Sequence, residues 1–153
     1  MTAFRTKTKI TVTKAGIITR EDHPPAAALA EKIRDRLDQR GITACSDQLE
    51  ADCDILIILG GDGTLLRVAG HAACNGIPVI GINMGYLGFL TELAEDEALH
   101  ALDEIIDGTV TVERRMMLKA LLKSQGGSCS SPRFGLNEIV ISKGTVDRVL
   151  ELN

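Results

Sequence analysis

Apolar positions along the chain fall into two alternating patterns, short runs and helically spaced stripes. Ala15 to Arg20 ("AGIITR") is a short apolar run that predicts a strand. The next segment opens with Pro24-Pro25, suited to a helix start, and carries Ala26, Ala30, Ile33 and Leu37 at helical spacing, with Gly41 placed to end it. "ITACSDQ" predicts a short second strand. "CDILIIL" is apolar at consecutive positions, as expected of a central parallel strand covered on both faces. "LLRVAGHAACNG" returns to helical spacing through Leu65, Leu66, Ala69 and Ala73, and Asn75-Gly76 can stop it. "IPVIGIN" predicts another buried strand. "AEDEALHALDEIIDG" predicts a helix with Glu95, Asp96 and Glu97 at its start and a stripe of Leu99, Leu102 and Ile106.

After this point the pattern changes. "VTVERRMMLKALLKS", "FGLNEIVIS" and "DRVLELN" read as strands, with "QGGSCSSP" as a loop and Lys143-Gly144 as a hairpin turn. The predicted fold is therefore α/β: a doubly wound, mostly parallel sheet with helices on both faces, followed by the first strands of a truncated β-rich domain. Residues 1–14 form an N-terminal extension, basic and Thr-rich, as a strand or tail. Residues 15–110 form the α/β domain, and residues 111–153 begin the β-rich part. The chain ends at Asn153 within a strand-like segment, which reads as the end of a fragment.

Composition narrows the function. A chain of 153 residues with 44 % apolar and 25 % charged residues is globular, and its formal charge of −4 gives no electrostatic case for nucleic acid or an anionic membrane. Three Phe, one Tyr and no Trp argue against a stacking platform for single strands. Cys45, Cys53, Cys74 and Cys129 show no C-x-x-C pair and read as free thiols of a reducing, cytoplasmic protein. No signal peptide or membrane span is expected. His23, His71 and His100 share no metal-ligand spacing and read as surface or helix-packing residues. Met116-Met117 reads as core filling and Arg114-Arg115 as solvated.

The chemistry is concentrated in "ILIILGGDGTLLR", residues 55–67. A buried strand leaves through Gly60, Gly61, Asp62, Gly63 and Thr64 into a helix. That places the turn at the carboxyl edge of a parallel sheet, where open α/β sheets bind ligands. Missing side chains let backbone N–H groups approach a phosphate, and the helix N-terminus favours negative charge. The dinucleotide fingerprint G-x-G-x-x-G fails because Leu66 stands at its third glycine, and the Gly-Lys-Ser/Thr ending of a P-loop is absent. Asp62 does not suit an anion ligand. It suits a general base or metal-bound group aimed at an attacking hydroxyl, or an Asp that hydrogen-bonds its own turn.

"GGDGT" after an apolar strand, then "GINMGYLGFL", then "LNEIVIS", resemble the three signatures of NAD kinases in that order. GGDGT alone is shared with lipid kinases, and a similar turn occurs in phosphofructokinases; residues 83–90 separate NAD kinases from these. The resemblance implies transfer of a phosphoryl group from ATP, or polyphosphate, to the adenosine ribose 2′-hydroxyl of NAD, with a divalent cation such as Mg²⁺ carried by the nucleotide. It implies that Asp62 is the catalytic base and that Gly60, Gly61, Gly63 and Thr64 form the phosphate loop. Gly63 would also contact NAD, Arg67 would face phosphate, Phe89 would lie against the ligand, Asn137 and Glu138 would bind its ribose and adenine, and Arg148 would add a weaker contact. Members of the family continue into a β-rich domain with a Gly-Ser-Thr-Ala-Tyr segment that closes the site. The whole protein is thus expected to be a homo-oligomeric kinase and residues 1–153 alone to be inactive. A lipid or sugar kinase and a non-catalytic nucleotide-binding module are the alternatives.

Overall fold

The computed structural model describes residues 4–85, 88–108, 110–124, 127 and 129–140. Strand β1 (Phe4–Thr8) is followed by β2 (Lys14–Thr19), helix α1 (Pro24–Gln39), β3 (Thr43–Ser46), β4 (Ile55–Gly60), α2 (Asp62–Asn75) and β5 (Val79–Asn83). A single 3₁₀ turn at Glu95–Glu97 leads into α3 (Ala98–Asp107), then β6 (Val110–Arg114), β7 (Leu118–Ala120) and β8 (Arg133–Gly135). The predicted order of strands and helices from residue 14 to residue 108 is the observed one.

The central sheet is wholly parallel, in the order β3-β2-β4-β5. β4 runs through its middle, and all six of its residues are buried. Its alternate side chains serve two cores. Ile55, Ile57 and Leu59 pack with Ala26, Leu29, Ile33 and Leu37 of α1 and with Ala98, Leu102 and Ile105 of α3. Leu56 and Ile58 pack with Leu65, Val68 and Ala72 of α2 on the opposite face. A strand sandwiched in this way has no polar face, which is why its sequence shows no alternation. Ion pairs from Arg36 to Asp103 (2.7 Å) and from Arg40 to Asp107 (2.8 Å) join α1 to α3 along their outer edges.

Local chemistry sets the helix limits. His23 caps α1, its Nδ1 accepting the Ala26 N–H at 3.2 Å, a role its sequence position did not disclose. Gly76 ends α2 in the left-handed conformation at φ 67°, which costs a glycine little. The stripe of α3 is rotated from the expected one: Ala98, Leu102 and Ile105 are buried, and Leu99 and Ile106 flank them. α2 begins at Asp62 rather than Leu65, so only Gly61 separates strand from helix.

The connection from β2 runs to β3 on one side, whereas that from β4 runs to β5 on the other. The carboxyl ends of β2 and β4 therefore flank the topological switch point of the sheet, the usual ligand crevice of an open α/β fold. The amino ends are tied together by Asp54, which accepts the Thr13 N–H (2.7 Å), the Thr13 hydroxyl (2.8 Å) and the Lys14 N–H (3.0 Å).

β1 pairs antiparallel with β6, joining residues 4–8 to residues 110–114, and β7 pairs antiparallel with β8. Two expectations about this region need correction. Met116 does not fill a core, because it is largely exposed. Nor do residues 136–140 continue β8. The chain bends at Leu136-Asn137, folding back until Ile139 Cγ1 lies 2.9 Å from where a Cβ on Gly135 would stand. Ile139 and Val140 are exposed, so among the described residues little burial holds the apolar run extended. Lys143-Gly144 and Arg148 lie outside the described residues. Among the described residues no helix is long and apolar enough to cross a membrane.

Hydrogen bonds from Thr13, its backbone N–H foremost, hold the Asp54 carboxyl below the usual carboxylate range. A depressed carboxyl contributes stability that is present above its unfolded value of about 3.9 and lost as pH falls through the folded value. Asp54→Ala is expected to lower stability by about 1–2 kcal/mol at pH 7. Urea unfolding across pH should show the difference from wild type shrinking below about pH 4.

Candidate functional site

Gly60 closes β4, and its shape is dictated by Thr64, whose Cβ would sit 2.9 Å from a Cβ at residue 60. Thr64 is therefore folded back over the strand end. Its N–H, with that of Leu65, bonds the Gly61 carbonyl at 3.0 and 3.3 Å and starts the helix. Gly61 and Gly63 differ in kind from Gly60: among the described residues a Cβ at either would meet nothing within 4 Å. Their backbone thus borders open space at a helix N-terminus, the geometry that admits an anion.

Asp62 is the first residue of α2 and points across to the segment after β5. Its Oδ2 accepts the Phe89 N–H at 2.9 Å. Its Oδ1 accepts the Leu90 N–H at 3.0 Å, the Thr91 N–H at 3.1 Å and the Thr91 hydroxyl at 3.1 Å. Burial pushes the Asp62 carboxyl up, but the three backbone N–H groups and the hydroxyl together outweigh it and hold it below the usual range. Such a carboxylate is ionised at neutral pH, and the helix dipole favours the same state.

This approach is possible only because residue 88 is glycine: a Cβ there would lie 2.7 Å from Asp62 Cγ. The segment is held from its other side too. The Asn83 N–H donates to the Leu93 carbonyl at 2.7 Å, and Ile82 and Leu93 form an isolated parallel bridge beside β5. Thr91 is fully buried and Asn83 nearly so, and Asn83 Nδ2 donates to Thr91 Oγ1 at 3.0 Å.

The remaining site residues distribute unevenly. Phe89 stands 92 % exposed beside Asp62, its ring in solvent and its N–H on the carboxylate. Arg67 lies about a turn and a half along α2 and reaches over the switch point, where its guanidinium pairs with Glu21 and donates to the Thr19 carbonyl at 3.4 Å. Asn137 and Glu138 are exposed; they follow Leu136, which packs against the core cluster on the α2 face of the sheet. Tyr86, Leu87 and Arg148 lie outside the described residues. The structure thus brings together Asp62, Gly63 and Phe89 and adds Gly88, Thr91, Asn83 and Glu21. Of these, Asn83 and Thr91 carry a signal in hindsight, as polar residues closing apolar runs. Among the described residues no three His, Cys, Asp or Glu side chains form a metal-binding group.

A parallel sheet covered on both faces, with a glycine-acid turn at its switch point, defines a doubly wound α/β domain. Residues 38–110 match the ATP-NAD kinase N-terminal domain. The chain is 37 % identical over 153 residues to the NAD kinase of Heliobacterium modesticaldum, an alignment covering 90 % of this chain and 54 % of that protein. It is 36 % identical over 156 residues to the NAD kinase of Symbiobacterium thermophilum, covering 91 % and 55 %. The match to the NAD kinase of Aromatoleum aromaticum is 41 % over 110 residues, covering 72 % and 36 %. The chain belongs to the NAD kinase family. It spans about half the length of the curated relatives it matches. A yeast NADH kinase complexed with NADH shares the fold, with a TM-score of 0.72 at 17 % identity over 83 % of this chain and 45 % of that one.

The steric relation of Gly88 to Asp62 generates a direct test. Gly88→Ala should detach residues 89–91 from the carboxylate, because its methyl would need the space Asp62 occupies. Hydrogen exchange at Phe89, Leu90 and Thr91 should then speed up by about tenfold or more, as local opening becomes easier. Gly63→Ala, whose methyl enters open space, should leave that exchange unchanged.

Proposed function

We propose that the protein phosphorylates the adenosine ribose 2′-hydroxyl of NAD, with ATP as donor, to yield NADP. The observation that carries the reading is the Asp62 carboxylate, ionised and held by the 88–91 segment, beside the open backbone of Gly61 and Gly63. Phosphoryl transfer asks little covalent chemistry of a protein. It needs the attacking hydroxyl aligned, its proton accepted, and the charge on the phosphoryl oxygens stabilised. Asp62 supplies the acceptor. The N-terminal N–H groups of α2 and the Arg67 guanidinium, on exchanging Glu21 for a phosphate, supply the positive field.

Phe89 offers a flat apolar face to a base or ring, and Asn137 and Glu138 offer an amide for a base edge and a carboxylate for ribose hydroxyls. Arg148 is assigned a further, weaker contact. The divalent cation would arrive on the donor's own phosphates, as Mg²⁺ commonly does, with no dedicated protein cage required. The unpaired thiols Cys45, Cys53, Cys74 and Cys129 suit a reducing, cytoplasmic setting.

The test is Asp62→Asn in the whole protein, assayed for NADP formation. Turnover should fall about 10²–10⁴-fold, the usual contribution of a positioned base, with NAD affinity changed only a few-fold. Normal turnover in the variant would contradict the role. Offering NAD, diacylglycerol and fructose phosphate in parallel to the wild type should give product from NAD alone; product from either other acceptor would favour a lipid or sugar kinase.

A further inference from the structure

Asp62 is oriented by a directional chain of hydrogen bonds that begins two residues outside the glycine bend. Asn83 Oδ1 accepts the Gly85 N–H at 2.8 Å, which fixes which end of its amide is nitrogen. Its Nδ2 can then only donate, and does so to Thr91 Oγ1 at 3.0 Å. With one lone pair of the hydroxyl taken, the single Thr91 proton is directed to Asp62 Oδ1 at 3.1 Å. Every link thus points its proton toward the carboxylate. The side chain of Thr91 cannot turn away easily, because its methyl is seated over β5, where a Cβ on Gly81 would lie 2.9 Å from Cγ2.

The two carboxylate oxygens are left unequal. Oδ1 takes three donors, the N–H groups of Leu90 and Thr91 and the Thr91 hydroxyl. Among the described residues Oδ2 takes one, the Phe89 N–H. A carboxylate oxygen offers about two lone-pair sites, so the two N–H groups alone fill Oδ1 and the Thr91 hydroxyl shares it as a third donor, whereas Oδ2 retains room for one more proton.

We propose that Thr91, supported by Asn83, is a positioning residue that fastens Asp62 Oδ1 to the buried side of the 88–91 segment and so presents Oδ2 as the oxygen that accepts the proton of the reacting hydroxyl. This rests on the reading of Asp62 as the base. Thr91 itself, fully buried, touches neither substrate nor phosphate; it acts through Asp62. Without its hydroxyl Oδ1 keeps only the backbone N–H groups of Leu90 and Thr91 and loses its tie to the buried Asn83 amide, so the carboxylate can rotate away from the line of transfer. A misplacement of that size costs rate more than binding.

The experiment compares Thr91→Val, which keeps the shape and removes the hydroxyl, with Thr91→Ser, which keeps the hydroxyl. Steady-state NADP formation by the whole protein should show kcat of Thr91→Val reduced about 10–100-fold with the KM for NAD within about threefold of wild type. Thr91→Ser should recover kcat to within about threefold of wild type. If Thr91→Val does not fold, Thr91→Ala against Thr91→Ser isolates the same hydroxyl, and the same kcat gap is expected between them. Equal kcat with and without the hydroxyl, or a loss confined to KM, overturns the proposal. Asp62→Asn run beside them separates the two claims. Loss of turnover there with a neutral Thr91→Val removes only the positioning role, whereas full turnover in Asp62→Asn removes the base role and the positioning role together.

Discussion

The Asp62 carboxylate ties the N-terminus of α2 to the strap that returns beside β5. Four donors converge on it, three of them backbone N–H groups of consecutive residues. Hydrogen bonds to a charged acceptor contribute more than neutral ones, about 1.5–3 kcal/mol each before losses from shared geometry. Beyond Asp62 the strap is ordered by buried Thr91, which accepts the Asn83 amide, and by Leu93, which pairs beside β5. Phe89 is in solvent and Leu90 only half-buried. Gly88, Gly60 and Gly81 are small because this junction brings backbone and side chains into the space their Cβ atoms would need.

That junction gains its position from the sheet. β4 is buried on both faces, so its exit is set by two cores at once, and α2 must start where the strand stops. The switch point between β2 and β4 leaves a crevice that Arg67 already crosses to reach Glu21 and the Thr19 carbonyl. An acid fixed at a helix start and a cation pairing across the crevice give the site both polarities within about a turn and a half of one helix. A phosphoryl transfer needs both: a proton acceptor on one reactant and positive field on the other.

The alternation of consecutive apolar runs and helical stripes made the α/β order legible from Lys14 to Gly108, because burial on two faces and burial on one leave different periods. Asp62 and its glycines were equally visible, since few structural reasons put an acid among three glycines. What that acid touches was not. Its partners come from residues 89–91, almost thirty positions on, and backbone N–H groups leave no mark in a sequence. The strap's need for glycine at residue 88 was visible as a letter but not as a steric fact. The expectation of a strand at Asn137-Glu138 failed for a similar reason. An apolar run predicts a strand only where something covers it, and Ile139 and Val140 are exposed.

The dependence of the strap on an ionised Asp62 is open to direct observation. In a ¹H–¹⁵N NMR titration the amide signals of Phe89, Leu90 and Thr91 should move together, with one midpoint below about 3.9, the ordinary value for an aspartate. They should not move in Asp62→Asn. Independent titration of the three amides, or a common midpoint at or above that value, would contradict the account.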